Sequence, residues 1–188
     1  MMRVDSEIIN GVSIIIPDVF QDERGCFIET YRREWFPNSR EMIQGNRADR
    51  AYGSVVGLHY HLHQADYWYV PFGSCRIVLH DLRVGSSTKG RTLIMDVGAP
   101  IDGPGLHNHS GVYIPPGVAH GFSALTDMTI TYMVDGYYNK HDELGVAWDD
   151  PAINAQWGVK YPILSKRDMN NPRIDEIPER LMPHFGLR

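Results

Sequence analysis

The stretch Val55–Val70, VVGLHYHLHQADYWYV, contains three histidines at alternate positions in a run of aliphatic and aromatic residues. Successive side chains of a β-strand point to opposite faces, so this alternation predicts His59, His61 and His63 on one face and Val56 on the other. Such alternation is typical of a half-buried strand. It also places three potential bases or metal ligands together, and their role bears directly on the function.

Short runs of β-branched and aromatic residues recur along the whole chain, separated by turn formers. GVSIIIP, CRIVLHDL and MTITYMV are examples of the runs, and PFGS and RVGSSTKG of the turns. Many short strands at this spacing favour an all-β sandwich or barrel over βαβ units. Helical signals are confined to YRREWFPNS and IDEIPERLMPHF, which predict two short peripheral helices. Because no linker or repeat divides the chain, we predict one domain over residues 1–188.

Net charge, cysteine content and the apolar segments argue against several classes of protein. A net charge of −5 argues against a general nucleic-acid binder, which needs a basic face. The two cysteines, Cys26 and Cys75, stand alone, so they predict neither a disulfide framework nor a CxxC pair. The N-terminal MMRVDSEIING has no apolar core of a signal peptide, and VSIIIP is too short to span a bilayer. We therefore expect a cytoplasmic protein with neither nucleic acid nor membrane as a partner.

The histidines have the spacing of a metal site. His59, His61 and Asp66, followed by Gly73, match the way in which small β-barrels of the cupin type present metal ligands, and His120 in YIPPGVAHGF is available as a fourth. Neutral imidazoles and a carboxylate suit Zn, Fe, Mn or Ni. The alternative is that these are half-exposed histidines of an ordinary strand, and the spacing by itself leaves both interpretations open.

Two further residues are candidates for chemistry. Tyr132 shares its predicted strand face with Ile130 and Val134, so it is either a core tyrosine or a phenol that acts as a general acid inside a barrel. Asp168 in LSKRD lies far from the histidines in sequence. It is a surface turn residue unless the chain returns it to the barrel.

Seven motifs, in order and at matching spacing, give a resemblance over nearly the full chain. They are FQDERGCFIETY, IQGN, GLHYH, DLRVGSSTKG, YIPPGVAHGF, YYNKHDELGVAWDDP and LSKRD. With them the chain resembles the dTDP-4-dehydrorhamnose 3,5-epimerase family of cupins. The resemblance implies a double-stranded β-helix, or jelly roll, that forms a homodimer, with VSIIIP expected to pair across the interface. It also implies a cofactor-free isomerase that inverts C3, C5 or both of a nucleotide-linked 4-keto-6-deoxyhexose.

The resemblance implies roles for individual residues. His59 matches the base that removes a proton beside the ketone, Asp168 the acid that orients its imidazole, and Tyr132 the proton donor. Seven more positions match residues that contact the ligand, the first two of them from the partner subunit. They are Arg24, Glu29, Gln44, Asn46, His120, Glu143 and Arg167.

The chain departs from the family pattern at cationic positions. Val56 stands where the family commonly has Arg, and Asp66 where it commonly has Lys. Both family residues serve the ligand, so their loss removes several kcal/mol of charge-assisted hydrogen bonding, to order of magnitude, unless other residues replace them. Arg47 and Arg167 are the candidates for that replacement.

A third departure keeps the metal hypothesis open: His61 stands where the family usually has Gln. We expect no metal to be required, since a general base needs a free imidazole lone pair. The alternative is a metal-dependent cupin, an oxygenase or isomerase, that uses His59, His61, Asp66 and His120. A sugar-binding cupin without catalysis is a third possibility, and the retained acid–base set argues against it.

Overall fold

The computed structural model describes residues 1–36, 40–98 and 108–186. These residues form β-strands joined by turns and short 3₁₀ helices, and none of their helices is long and apolar enough to cross a membrane. The strands are β1 Met2–Asp5, β2 Ser13–Ile16, β3 Val19–Asp22, β4 Gly25–Ile28, β5 Gln44–Arg50, β6 Val55–Tyr60, β7 Asp66–Phe72, β8 Ser74–Asp81, β9 Thr92–Gly98, β10 Gly111–Ile114, β11 Val118–Ala124, β12 Met128–Val134 and β13 Leu144–Gly145. The 3₁₀ helices are Arg33–Trp35, Asp168–Asn170, Ile174–Glu176 and Glu179–Leu181.

Two antiparallel sheets enclose the main core. One has the order β1-β2-β10-β7-β12-β5 and the other β13-β6-β11-β8-β9, while β3 and β4 form a separate hairpin. Apolar residues of both sheets meet between them, among them Trp68 and Ile130 from the first sheet and Ile77 and Phe122 from the second. The predicted all-β jelly roll is confirmed.

In the described part of the chain, neither of the two predicted helices forms, and each segment contains only short 3₁₀ turns. In YRREWFPNS only Arg33–Trp35 is helical, and residues 37–39 lie outside the described part of the chain. IDEIPERLMPHF forms two turns, Ile174–Glu176 and Glu179–Leu181, on either side of Pro178. A proline lacks the N–H that a continuous helix needs and clashes with the preceding turn, which accounts for the interruption.

A second core covers the outer face of the smaller sheet. Ile153, Trp157 and Ile177 of the irregular C-terminal segment pack there against Leu58 and other strand residues. Because this face is covered, β6 is buried on both sides. One side faces the C-terminal segment and the other faces the space between the sheets.

The alternation predicted for the histidine stretch is interrupted. The strand β6 ends at Tyr60, so His61 and His63 follow it rather than belong to it. In the pairing of β6 with β11, His59 lies opposite His120 and Val56 opposite Phe122, so three steps on β6 match two on β11. This irregularity shifts the side-chain alternation by one residue. The prediction that Val56 faces away from His59 is therefore wrong, and both side chains line the same cavity.

Glycines allow β6 and β11 to approach this closely. Gly57 has φ +102°, and a Cβ there would lie 2.8 Å from the carbonyl oxygen of His120. A Cβ on Gly121 would lie 2.6 Å from the carbonyl oxygen of Val56. Real side chains do not fit at such distances, so glycine is required on both strands.

The strand β2 has no free backbone edge for the pairing that was expected across a dimer interface. VSIIIP was expected to pair across a dimer, but β2 already pairs with β1 on one side and β10 on the other. Both backbone edges are thus occupied within the chain. The outermost strand of this sheet is β1, which is exposed along its length.

Gly57→Ala tests the close approach of the two strands. We expect it to lower the free energy of unfolding by about 2 to 4 kcal/mol, because a positive φ and a backbone clash are both introduced. The matched control is Gly45→Ala on β5, where a Cβ meets no atom within 4 Å and φ is not positive. The control should be neutral or stabilising by up to about 1 kcal/mol. Urea unfolding measures both changes, and equal losses in the two variants would contradict the assignment.

Candidate active site

A cavity of about 410 Å³ lies between the two sheets. Residues of β5, β7 and β12 line it from the larger sheet and residues of β6 and β11 from the smaller one. Six of the ten predicted site residues line this cavity. They are Gln44, Asn46, His59, Tyr132, Glu143 and Arg167.

His59 lies on β6 opposite His120 of β11, and their ring centroids are 4.2 Å apart. Its Nδ1 is buried and has no hydrogen-bond partner among the described residues. Burial lowers the pKa of His59 well below its usual range, and the positive charges that neighbouring side chains can carry lower it further. The imidazole is therefore neutral at pH 7, and one of its ring nitrogens keeps a free lone pair.

Tyr132 lies on β12, in register with Asn46 of β5 and Trp68 of β7. Its side chain points between the sheets, as the alternation with Ile130 and Val134 predicts, and all three line the cavity. Burial raises the pKa of Tyr132, and the nearby Asp66 carboxylate raises it further. The phenol thus keeps its proton at pH 7 and can donate it.

Asp168 is buried and begins a 3₁₀ turn that packs against β6. The chain does return it to the barrel, but no hydrogen bond or ion pair joins Asp168 to His59 in the described part of the structure. Its carboxylate instead accepts a hydrogen bond from Nε of Arg167 at 3.3 Å, and Arg167 also pairs with Glu143. The predicted hydrogen bond between Asp168 and His59 is thus not formed among the described residues, and the side-chain contact that Asp168 makes there is to Arg167.

Arg24 and Glu29 lie outside the cavity of their own chain. The β3–β4 hairpin carries Arg24, whose side chain is 86% exposed and pairs with Asp22. Glu29 follows the hairpin and pairs with Arg32. Because this hairpin belongs to neither main sheet, the fold of one chain does not bring these two residues to the other candidates.

The arginine that β5 contributes to the cavity is Arg50, and not Arg47 as predicted. Side chains of β5 alternate, so Gln44, Asn46 and Arg50 face the cavity. Arg47 faces the other way and pairs with Asp49. Arg50, which sequence reasoning missed although the alternation could have indicated it, therefore joins Arg167 as a positive charge in the cavity.

Four potential metal ligands converge at the inner end of the cavity. The ligand atoms of His59, His61, Asp66 and His120 all lie within 4.8 Å of one another. Burial lowers the pKa of His120 to about 4, while the Asp66 carboxylate opposes this shift. His120, predicted to contact substrate, thus lies behind the cavity wall beside His59 rather than among the residues that line it.

Two neighbours of this group were also missed. Trp68 donates its indole Nε1–H to Asp66 at 3.1 Å, and its ring stands edge-on to that of His120. Period-two alternation from Asp66 along β7 could have placed it on the same face. Gln64 also donates to Asp66, at 2.9 Å. It precedes the strand, so no periodicity could have indicated its contact.

Comparison with known proteins gives a consistent result. A sequence model of the dTDP-4-dehydrorhamnose 3,5-epimerase family matches residues 6–176. The dTDP-4-dehydrorhamnose 3,5-epimerase of Shigella flexneri is 33% identical over 181 residues, which are 92% of this chain and 96% of that protein.

Two solved structures are similar over almost the whole chain. The dTDP-6-deoxy-D-glucose-3,5-epimerase of Legionella pneumophila, in complex with dTDP-4-keto-L-rhamnose, has a TM-score of 0.87 at 26% identity and covers 99% of each chain. ChmJ, a 3'-monoepimerase from Streptomyces bikiniensis, was solved in complex with dTDP as a double mutant of one histidine and one tyrosine. It has a TM-score of 0.84 at 28% identity and covers 97% of this chain and 93% of its own. The chain therefore belongs to the dTDP-4-dehydrorhamnose 3,5-epimerase family.

Proposed function

We propose that this protein is an epimerase of a dTDP-linked 4-keto-6-deoxyhexose and inverts C3, C5 or both in deoxysugar biosynthesis. The observation that carries the proposal is the placement of His59 and Tyr132. They line one cavity from different sheets, His59 on β6 and Tyr132 on β12. Relatives in the family are named as epimerases of dTDP-sugars, and the ChmJ double mutant replaces the same two residue types.

The chemistry follows from the ketone at C4. Protons on C3 and C5 are acidified because their removal gives an enolate rather than a bare carbanion. His59 takes such a proton on one side of the sugar ring, and the Tyr132 hydroxyl returns one on the other side. A base and an acid on facing sheets suit inversion, since the new proton must arrive on the face opposite to the one that left.

Arg50 and Arg167 are proposed to bind the diphosphate. Both line the cavity, and a guanidinium can donate two parallel hydrogen bonds to phosphate oxygens. They replace the charges missing at Val56 and Asp66. Asp168 then acts as a positioning residue that holds Arg167, while Gln44 and Asn46 are available for the sugar or the base.

Deuterium exchange tests the acid–base pair. His59→Ala should lower the uptake of solvent deuterium at C3 and C5 at least about 100-fold, because general-base catalysis is lost. Tyr132→Phe should slow inversion more than exchange, since proton removal is still possible. NMR of dTDP-4-keto-6-deoxyglucose incubated with each variant in D₂O measures both rates and shows which carbons exchange.

His63→Ala is the matched control, because His63 is exposed and does not line the cavity. Its exchange rates should stay within about twofold of the wild type, as expected for a surface substitution. Undiminished exchange in His59→Ala would refute the assignment of the base.

We also propose that the protein works in the cytoplasm. Cys26 and Cys75 are both free thiols. Cytoplasmic proteins keep their cysteines reduced, whereas disulfides form and persist in secreted proteins. The two free thiols support a reducing compartment.

We propose further that two copies form a homodimer through the β3–β4 hairpin. Phe20 and Phe27 pair across this hairpin, with ring centroids 6.4 Å apart, yet remain 60% and 70% exposed. A projecting hairpin with exposed aromatic side chains is typical of a surface that a partner covers. Arg24, on the same hairpin, would then reach the cavity of the second copy.

Light scattering tests the dimer. Phe20→Ser combined with Phe27→Ser should shift the molar mass from two chains to one, because the apolar contact is lost. Tyr161→Ser is the control, since Tyr161 is a 76% exposed aromatic residue far from the hairpin in sequence. Arg24→Ala should keep the dimer but lower deuterium exchange at least about tenfold, the cost of a lost hydrogen bond to a charged group. A monomeric wild type would refute the proposal.

A further inference from the structure

We propose that His61, Asp66 and His120 bind one divalent transition-metal ion, with His59 beside the site and not among its ligands. The family assignment does not imply this metal site. The proposal also departs from the expectation, made from the sequence, that no metal is required. All three side chains are buried, with exposed fractions of 7%, 2% and 2%. They belong to a group whose ligand atoms lie within 4.8 Å of one another.

Hydrogen bonds to the backbone fix which nitrogen of each ligand is free. Nδ1 of His120 lies 2.8 Å from the carbonyl oxygen of Val118, and Nδ1 of His61 lies 2.6 Å from that of Asp142. A carbonyl oxygen only accepts, so each Nδ1 carries the proton and donates it. In the neutral rings the lone pair is therefore on Nε2.

Both lone pairs face the same carboxylate. Nε2 of His120 is 3.8 Å from Oδ2 of Asp66, and Nε2 of His61 is 4.0 Å from Oδ1. These distances are too long for hydrogen bonds. Metal–nitrogen and metal–oxygen bonds of about 2.1 Å allow one ion to join atoms up to about 4.2 Å apart, and each imidazole nitrogen lies within that limit of one oxygen of Asp66.

The surroundings support a metal site rather than a chance cluster. Nε2 of His120 is buried without a hydrogen-bond partner among the described residues, which is costly for a polar atom and is resolved by an ion. Both oxygens of Asp66 accept hydrogen bonds, from Gln64 and Trp68. Ligating histidines that donate their other N–H to a carbonyl, and ligating carboxylates held by donors, are typical of metal sites.

His59 differs from the two proposed histidine ligands. No hydrogen bond fixes its tautomer in the described structure, and its side chain lines the cavity. Two histidines and one carboxylate also leave coordination positions open, as in iron sites of this ligand set. The donor set suits Fe, Co, Ni or Zn better than Mg or Ca, which prefer oxygen.

Cobalt titration of the full chain, stripped of metal by a chelator, tests the site. We expect Co²⁺ to bind at one equivalent per chain, with a visible absorption band and a raised melting temperature. His61→Ala and Asp66→Ala should each weaken binding by about 100-fold or more, since loss of a supporting residue alone costs 10- to 100-fold. Trp68→Phe keeps the three ligands but removes one hydrogen bond to Asp66, so it should weaken binding about tenfold.

Two controls make the outcome specific. His63→Ala removes an exposed histidine from the same stretch and should keep full affinity. His59→Ala should also keep Co²⁺ binding while it loses deuterium exchange, so failure of the metal site and failure of the proposed function are distinguishable. Absence of stoichiometric binding, or unchanged affinity in His61→Ala and Asp66→Ala, would overturn the metal site. Loss of binding in His59→Ala would overturn the assignment of His59 as a free base.

Discussion

The contact between β6 and β11 is the constraint on which the candidate site depends. Gly57 and Gly121 let the two backbones approach to distances that a side chain would prevent. The irregular pairing that accompanies this approach turns His59 toward the space between the sheets, opposite His120. Without this irregularity, strict alternation would place Val56 and His59 on opposite faces of β6. His59 would then lose either its place opposite His120 or its access to the cavity.

The two ends of the cavity carry side chains of different charge. At the inner end, the buried Asp66 carboxylate faces imidazole nitrogens and is held by Gln64 and Trp68. Toward β5 and the C-terminal segment, Arg50 and Arg167 contribute positive charge. A carboxylate buried among neutral groups is stable only with hydrogen bonds or a cation nearby. The inner end therefore suits a metal ion or an acid–base reaction, and the arginines suit the phosphates of a nucleotide.

Arg167 connects the last part of the chain to this arrangement. It contacts Glu143, which lies just before β13, and Asp168, which begins a 3₁₀ turn against β6. A side chain held by two carboxylates loses little freedom when it binds a ligand, which favours affinity. The C-terminal segment thus both covers the outer face of the smaller sheet and fixes a cation at the cavity.

The sequence by itself determined the all-β architecture, because alternation and turn formers are local signals. It also determined that His59 and Tyr132 face the interior, since the motifs around them are specific to the family. Only the tertiary structure decided that Arg167 pairs with Glu143 and Asp168 beside the cavity, and that Gln64, which precedes β7, contacts Asp66. These contacts depend on loops and on the packing of distant segments, so no local periodicity encodes them. Alternation along β5 and β7 could indicate Arg50 and Trp68, but only the fold shows which face of each strand lines the cavity. The shift of Val56 to the face of His59 has the same origin, since a pairing irregularity depends on the partner strand as much as on the strand itself.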